Sequence, residues 1–316
     1  MNDIPKISVI VITYNQEEVI RRTIDSLIDQ KDYIYEICIS DDCSKDKTWK
    51  ILQDYSSQYP GLFKLNRNDS NLGIFENIEK TWTIPSGDLV YYLAGDDVAG
   101  DNWFKTVINY IEFHQIDFKN EKICICCNSI SIYPNGDKLT IKKNRNVELK
   151  IPPIRLYERG LVGPRGNVYS INVLYQFEKV SQGRSFVAEN AQDCQQYIFS
   201  EKFYYINKVG NIYYSGIGVS SNMTAERKSQ HEQTMVYAFE FLRKHNAPLS
   251  RRDHYLPQLN IAQKHMRWNP SIENYYKLLY YRFKTFDFYL WIHSFDIMTK
   301  LFPFVRRIPH KTPINW

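Results

Sequence analysis

Residues 7–12 read Ile7-Ser8-Val9-Ile10-Val11-Ile12, a β-branched and almost wholly apolar run. That is the pattern of a parallel strand covered on both faces. Beyond it, Ile20, Ile24, Leu27 and Ile28 recur at helical spacing, while Arg21, Arg22, Asp25 and Asp29 take other positions. Asn15, three residues before Glu18, has the form of a capping box and predicts the start of this helix. The same two periods return down the chain. Strands are expected near 36–40, 63–65 and 89–94. Helices are expected from Ser44 through Ile51, Leu52 and Tyr55, and through Ile74, Ile78 and Trp82. Such alternation predicts an α/β fold with a mainly parallel sheet and helices on both faces.

After residue 120 the alternation fails. Residues 123–133 and 139–141 flank Pro134-Asn135-Gly136-Asp137 and predict a hairpin. Residues 142–165 are polar, basic and proline-containing, as in a loop that could lie over a cleft. A helix around 194–199 precedes short strands near 203–206 and 211–214. From Met223 the pattern is mostly helical. The expected division is an α/β domain over 1–222 and a helical region over 223–316.

Composition narrows the class. A chain of 316 residues, 43% hydrophobic and 24% charged, can bury a full core and is not disordered by default. A net charge of +5 favours anionic partners such as nucleotide diphosphates or lipid phosphates. Of the six cysteines, Cys124, Cys126 and Cys127 lie in an apolar run, and no second Cys/His pair stands at zinc-ligand spacing. Reduced core thiols, suited to a reducing cytosol, are expected. The N-terminus has no signal-type apolar stretch, and no run reaches the roughly 20 apolar residues of a spanning helix, so a soluble or peripheral protein is expected.

In open parallel sheets, ligands lie beyond the carboxyl ends of the strands. The first strand runs into Thr13-Tyr14-Asn15-Gln16-Glu17, the second into Asp41-Asp42-Cys43-Ser44-Lys45-Asp46-Lys47-Thr48, and the fourth into Gly95-Asp96-Asp97. Neither G-x-G-x-x-G after the first strand nor G-x-x-x-x-G-K-[ST] anywhere is present, which disfavours dinucleotide oxidoreductases and P-loop NTPases. A carboxylate-lined nucleotide site suggests instead a divalent cation bridging carboxylate and diphosphate. Asp46 reads as a residue placed at the positive end of a helix.

In order along the chain, these segments resemble the large inverting GT-A glycosyltransferases usually numbered family two. Ser8 to Asn15 is similar to the opening strand. Ile39 to Thr48 resembles Val-Asp-Asp-Gly-Ser-x-Asp-x-Thr, with Cys43 in the glycine's place. Asn71-Leu72-Gly73 matches an Asn-x-Gly, and Leu93-Ala94-Gly95-Asp96-Asp97 matches the D-x-D region. The resemblance implies a GT-A, Rossmann-like sheet and a nucleotide-sugar donor. Thr13, Tyr14 and Glu17 would line the base pocket. Asp41 or Asp42 would accept a hydrogen bond from base or ribose, which favours UDP because a carboxylate can take the uracil imide N–H. Asn71 and Gly73 would let the backbone approach the nucleotide. Asp96 would hold Mg2+ or Mn2+ on the diphosphate, supported by Asp97.

The family's general base opens an acceptor-side helix. Within Glu189-Asn190-Ala191-Gln192-Asp193, the choice is Asp193, with Glu189 in reserve. Two departures stand out. Ala94 replaces the first acid of the D-x-D pattern, and Tyr214-Ser215-Gly216-Ile217 lacks the Arg and His of a Tyr-Arg-x-His segment, so metal dependence is expected to be reduced. From Asn274 the chain is rich in aromatic residues interleaved with Lys277, Arg282, Lys284, Lys300, Arg306, Arg307 and Lys311. This suits a membrane interface, packing on the catalytic domain, or a contact between copies in a homo-oligomer. No nucleic-acid module accompanies the charge.

The reading is a cytoplasmic enzyme, peripheral on the inner face of the membrane. It would transfer a hexosyl or N-acetylhexosaminyl group from a UDP-sugar to a growing cell-surface glycan, including a lipid-diphosphate-linked acceptor. The rivals are a nucleotide-sugar-binding protein without catalysis and a nucleotidyltransferase.

Overall fold

The computed structural model describes residues 3–141, 166–180, 190–216, 224–247 and 253–285. The first half alternates as the periodicity requires: β1 (Ile7–Thr13), α1 (Ile20–Ile28), β2 (Glu36–Asp41), α2 (Thr48–Gln58), β3 (Phe63–Arg67), α3 (Ile74–Thr81), β4 (Leu89–Ala94), β5 (Val98–Ala99) and α4 (Trp103–Phe113). The hairpin β6 (Ile123–Ile132) and β7 (Lys138–Ile141) follows, then β8 (Val168–Ser170), α5 (Ile171–Leu174), α6 (Asn190–Phe199) and β9 (Lys202–Tyr214). Three longer helices end the described chain: α7 (Ala225–Lys244), α8 (Leu256–Trp268) and α9 (Ile272–Thr285).

One sheet runs in the order β3-β2-β1-β4-β8-β6-β9-β5, with β7 added to β6. β3, β2, β1 and β4 run parallel to one another, whereas β8 pairs antiparallel with both β4 and β6. β1, β2 and β4 are buried on both faces, which explains the apolar stretches Val9–Ile12, Ile37–Ile39 and Leu89–Ala94 within them. On one face Val9, Ile39 and Tyr91 meet α1, α2 and α4 residues such as Ile24, Leu52 and Trp103. On the other, Ile10, Val90 and Tyr92 meet Ile78 and Trp82, with Val173 from α5. Helices therefore cover both faces.

The anticipated capping box does not form. α1 begins at Ile20, and Asn15 has a positive φ of 50°. Its side-chain oxygen accepts the Lys45 N–H at 2.8 Å, so a partner across the chain replaces the local cap. The two short strands expected near 203–206 and 211–214 form one strand, β9, whose pairing with β6 shifts register at Cys126 and Asn128. All six cysteines are buried, and among the described residues none forms a disulfide.

The last helices share a core in which Cys194 of α6 packs with Phe241, Leu242, Leu259, Met266 and Leu278. Lys244 (2.6 Å) and His245 (3.0 Å) also reach Glu178, just after α5. Among the described residues, no helix is long and apolar enough to cross a membrane. The basic segment 142–165, expected over the cleft, lies outside the described residues, as does the tail beyond residue 285.

Candidate active site

Three parallel strands deliver the polar segments to one rim. Thr13 pairs in register with Asp41, and Ile12 with Ala94. The N–H groups of Asp42 and Gly95 donate to the carbonyls of Thr13 and Ile12, each at 2.9 Å, so the chains stay joined as they leave the sheet. With strands about 4.8 Å apart, the segments after β2 and β4 lie about 10 Å apart across β1. Tyr14 is 40% exposed at this edge, whereas Thr13 is buried and its hydroxyl donates to Gln16 Oε1 at 2.6 Å.

The two carboxylates after β2 are engaged differently. Asp41, with no exposed surface, accepts the Ser44 N–H at 3.0 Å and the Ser44 hydroxyl, and pairs with Arg67 Nε at 3.4 Å. It therefore folds the turn after its own strand. Asp42 reaches across to the next loop, accepting the N–H groups of Leu72 (2.8 Å) and Gly73 (2.9 Å) and the Asn68 amide (2.9 Å). Gly73 has φ 86°, a left-handed conformation that its lack of a side chain permits, and it immediately precedes α3. Asn71 is exposed beside it. Cys43 also sits at positive φ, 61°, which accounts for the glycine that the family pattern carries there.

The loops after β1 and β2 are cross-tied. Glu17 accepts the Lys47 N–H at 2.8 Å, and Asp46 accepts the Glu17 N–H at 3.0 Å and the Thr48 N–H at 2.9 Å. Asp46 thus caps the start of α2. Burial alone would raise its pKa, but the hydrogen bonds from Thr48 and Glu17 outweigh that and hold it below the ordinary aspartate value.

Beneath Asp42 lies a polar network absent from the sequence expectations. Asn77 Oδ1 accepts from Ser40 Oγ (2.6 Å) and Asn68 Nδ2 (2.9 Å), and Asn66 donates to Ser40 Oγ (2.9 Å). Arg67 and Asn68 end and follow β3, so the strand-end rule could have found them. Ser40 and Asn77 lie inside elements and carry no such signal.

The Gly95-Asp96-Asp97 turn is held from two sides. Gly95 has no room for a side chain: a Cβ there would meet Gln16 Oε1, Ile12 O at 2.9 Å and Thr13 Cβ at 3.1 Å. From α1, Arg22 donates to the Asp96 carbonyl at 2.8 Å, and the Thr23 hydroxyl lies 2.8 Å from Gly95 O and 2.7 Å from Asp97 O. From β9, the Tyr214 N–H lies 3.3 Å from Asp97 Oδ1, and the Arg22 guanidinium stacks on the Tyr214 ring at 3.5 Å. Asp96 and Asp97 are both nearly buried. Among the described residues, no group of three or more His, Cys, Asp or Glu gathers to cage a metal. One or two carboxylates after β4 fit a cation that takes its remaining oxygen ligands from a diphosphate and water.

Asp193 lies in the first turns of α6, while Glu189 falls outside the described residues. Two glutamines anchor this helix. Gln195 exchanges hydrogen bonds with the Glu178 backbone, its carbonyl taking the N–H (2.5 Å) and its amide donating to the carbonyl oxygen (2.8 Å). Gln196 accepts from Asn167 Nδ2 at 3.0 Å. Both are fully or almost fully buried.

Residues 8–178, more than half of the chain, match the family described as Glycosyl transferase family 2. The chain belongs to glycosyl transferase family 2. This family 2 chain has a GT-A-like fold, similar to that of Staphylococcus aureus TarS residues 1–349, solved in complex with UDP-GlcNAc. The TM-score is 0.62 at 18% identity, over 87% of this chain and 79% of that one. Among curated sequences it is similar to the dTDP-rhamnosyl transferase RfbG of Shigella flexneri, 29% identical over 42% of this chain and 45% of that protein. It is also similar to the poly(ribitol-phosphate) beta-glucosyltransferase of Bacillus spizizenii, 28% identical over 37% of this chain and 19% of that protein. The matched stretch spans less than half the length of these relatives.

Proposed function

We propose that this family 2 protein moves a sugar from a UDP-linked donor to a hydroxyl of a growing cell-surface glycan, with inversion at the anomeric carbon. The observation that carries the reading is the joining of the β1, β2 and β4 ends at one rim, with Tyr14 exposed and Asp42 and Asp96 on either side of β1. The donor class draws support from TarS, solved with UDP-GlcNAc, and from RfbG, named for a dTDP donor. Uracil and thymine present the same imide N–H between two carbonyls. Asp42 is our choice for meeting the base or ribose, because it retains 3% exposure where Asp41 retains none. Its carboxylate has about four lone-pair sites, and three protein donors leave one open.

In the transfer, the acceptor oxygen attacks the anomeric carbon and forms the new C–O bond. The bond to the diphosphate oxygen breaks, and that electron pair leaves with UDP. Asp193 takes the acceptor's proton as the general base. Mg2+ or Mn2+ held by Asp96, with Asp97 in support, would offset charge on the departing diphosphate. Asp97, hydrogen-bonded to Tyr214, keeps the turn in place.

Asp193→Asn tests the assignment. Transfer should fall by about a hundredfold or more, while UDP affinity changes little. Unchanged transfer would remove Asp193 from the mechanism and direct attention to Glu189. A second reading, donor binding without turnover, is favoured by Ala94 at the first acid position. Donor binding with no release of UDP in the presence of Mn2+ would support it. Release of pyrophosphate would instead indicate nucleotidyl transfer.

A further inference from the structure

The last described helix has two apolar faces, one packed on the helical core and one whose side chains are more than half exposed. Leu278, Arg282 and Thr285 of α9 are buried against the helical core, and Leu278 belongs to the cluster shared with α6, α7 and α8. Turned away from that core, Ile272, Tyr276, Tyr280 and Phe283 are 59%, 65%, 53% and 57% exposed. Their spacings of four, four and three residues align them along one stripe. Lys277 and Lys284, seven residues apart, flank the stripe on one side. Lys277 pairs with Glu273 at 2.6 Å, and the Lys284 ammonium lies 5.5 Å from the centre of the Tyr280 ring. Aromatic side chains bordered by lysines are the composition that settles at the boundary between headgroups and acyl chains.

Charge selects the occupant. Residues 271–316 hold Lys or Arg at seven positions and Asp or Glu at three, a net of +4 out of +5 for the whole chain. A surface of opposite sign is therefore the complementary partner, and an apolar stripe needs that surface to offer hydrocarbon as well. We infer that α9 is a peripheral membrane-docking helix that lies on an anionic phospholipid bilayer with Ile272, Tyr276, Tyr280 and Phe283 inserted and Lys277 and Lys284 at headgroup level. This surface is separate from the nucleotide rim and does not depend on the proposed transfer.

Sedimentation of the full-length protein with phosphatidylcholine vesicles, with and without phosphatidylglycerol, tests the inference. Binding should require phosphatidylglycerol and weaken as salt rises. The triple change Tyr276→Ser, Tyr280→Ser and Phe283→Ser should weaken it by about tenfold or more, with an unchanged melting temperature, because these side chains are exposed. Lys277→Gln with Lys284→Gln should weaken binding and flatten its salt dependence. Three results would overturn the inference: no vesicle binding by the unaltered protein, equal binding to neutral vesicles, or full binding by the triple variant. A fourth would do the same: an unaltered protein that ignores vesicles but self-associates, with a monomeric triple variant. The stripe would then be an interface between copies.

Discussion

Asp42 shows how one residue can serve fold and site together. Its carboxylate gathers the Leu72 and Gly73 N–H groups and the Asn68 amide, fixing the turn before α3 against the end of β2. Asp42→Ala leaves the Leu72 and Gly73 N–H groups without this acceptor, while Asn68 keeps Asn77, and stability should drop by about 1–3 kcal/mol. UDP affinity should fall by about tenfold, since the loop loses its anchor and the base its proposed acceptor. Urea denaturation and UDP titration of the same variant separate the two effects. A stability loss with unchanged UDP binding would confine Asp42 to folding. Gly95 is a simpler case, because the Gln16 side chain and the Ile12 and Thr13 atoms of β1 occupy the space that any side chain would need.

At the scale of elements, Glu36 locks the amino end of the sheet. It is 3% exposed, and it accepts from Ser8 Oγ (2.7 Å) and the Ser86 N–H (2.5 Å) and pairs with Lys64 (2.5 Å). Burial pushes its pKa up, but hydrogen bonds from Lys64, Ser8 and Ser86 push further in the other direction and leave it lowered. The unfolded chain therefore takes up this proton at higher pH than the folded protein does. The stability Glu36 contributes is full above its ordinary value of 4.5 and is lost as pH falls through the lowered folded value. Melting temperatures from pH 7 to pH 3 should fall less steeply for Glu36→Gln than for the unaltered protein, from a lower start. Parallel curves would deny Glu36 this role.

The elements also show which features could be read in advance. β1, β2 and β4 were legible because burial on both faces leaves each at least three consecutive apolar residues, with the polar positions of β1 and β2 near their ends. β8 has three residues, too few for any periodicity. β9 looked like two strands because Asn207 and Lys208 interrupt its apolar pattern, yet the pairing with β6 carries the chain through by shifting register. The capping box at Asn15 failed for a related reason: the sequence shows local partners, whereas the partner that prevails, the Lys45 N–H, lies 30 residues away.

At the scale of the molecule, the sheet rim and α6, the helix proposed to face the acceptor, are built by different parts of the chain. The rim was legible because carboxylates directly after buried strands have one place to go. The Ser40-Asn66-Asn68-Asn77 network and the Arg22–Tyr214 stack were hidden, since they join residues whose neighbours in sequence predict only helix or strand. α6 is clamped by Gln195 and Gln196 and packs into the C-terminal helices, so those helices support the segment that carries Asp193. In the proposed function, the rim after β1, β2 and β4 holds a pyrimidine nucleoside diphosphate through Asp96 and a divalent cation. Calorimetric titration of UDP, with ADP as the control and with or without Mn2+, tests it most directly. UDP should bind in preference to ADP, Mn2+ should tighten UDP by about tenfold, and Asp96→Asn should remove the tightening. Equal binding of UDP and ADP, or a Mn2+ effect that survives Asp96→Asn, would contradict it.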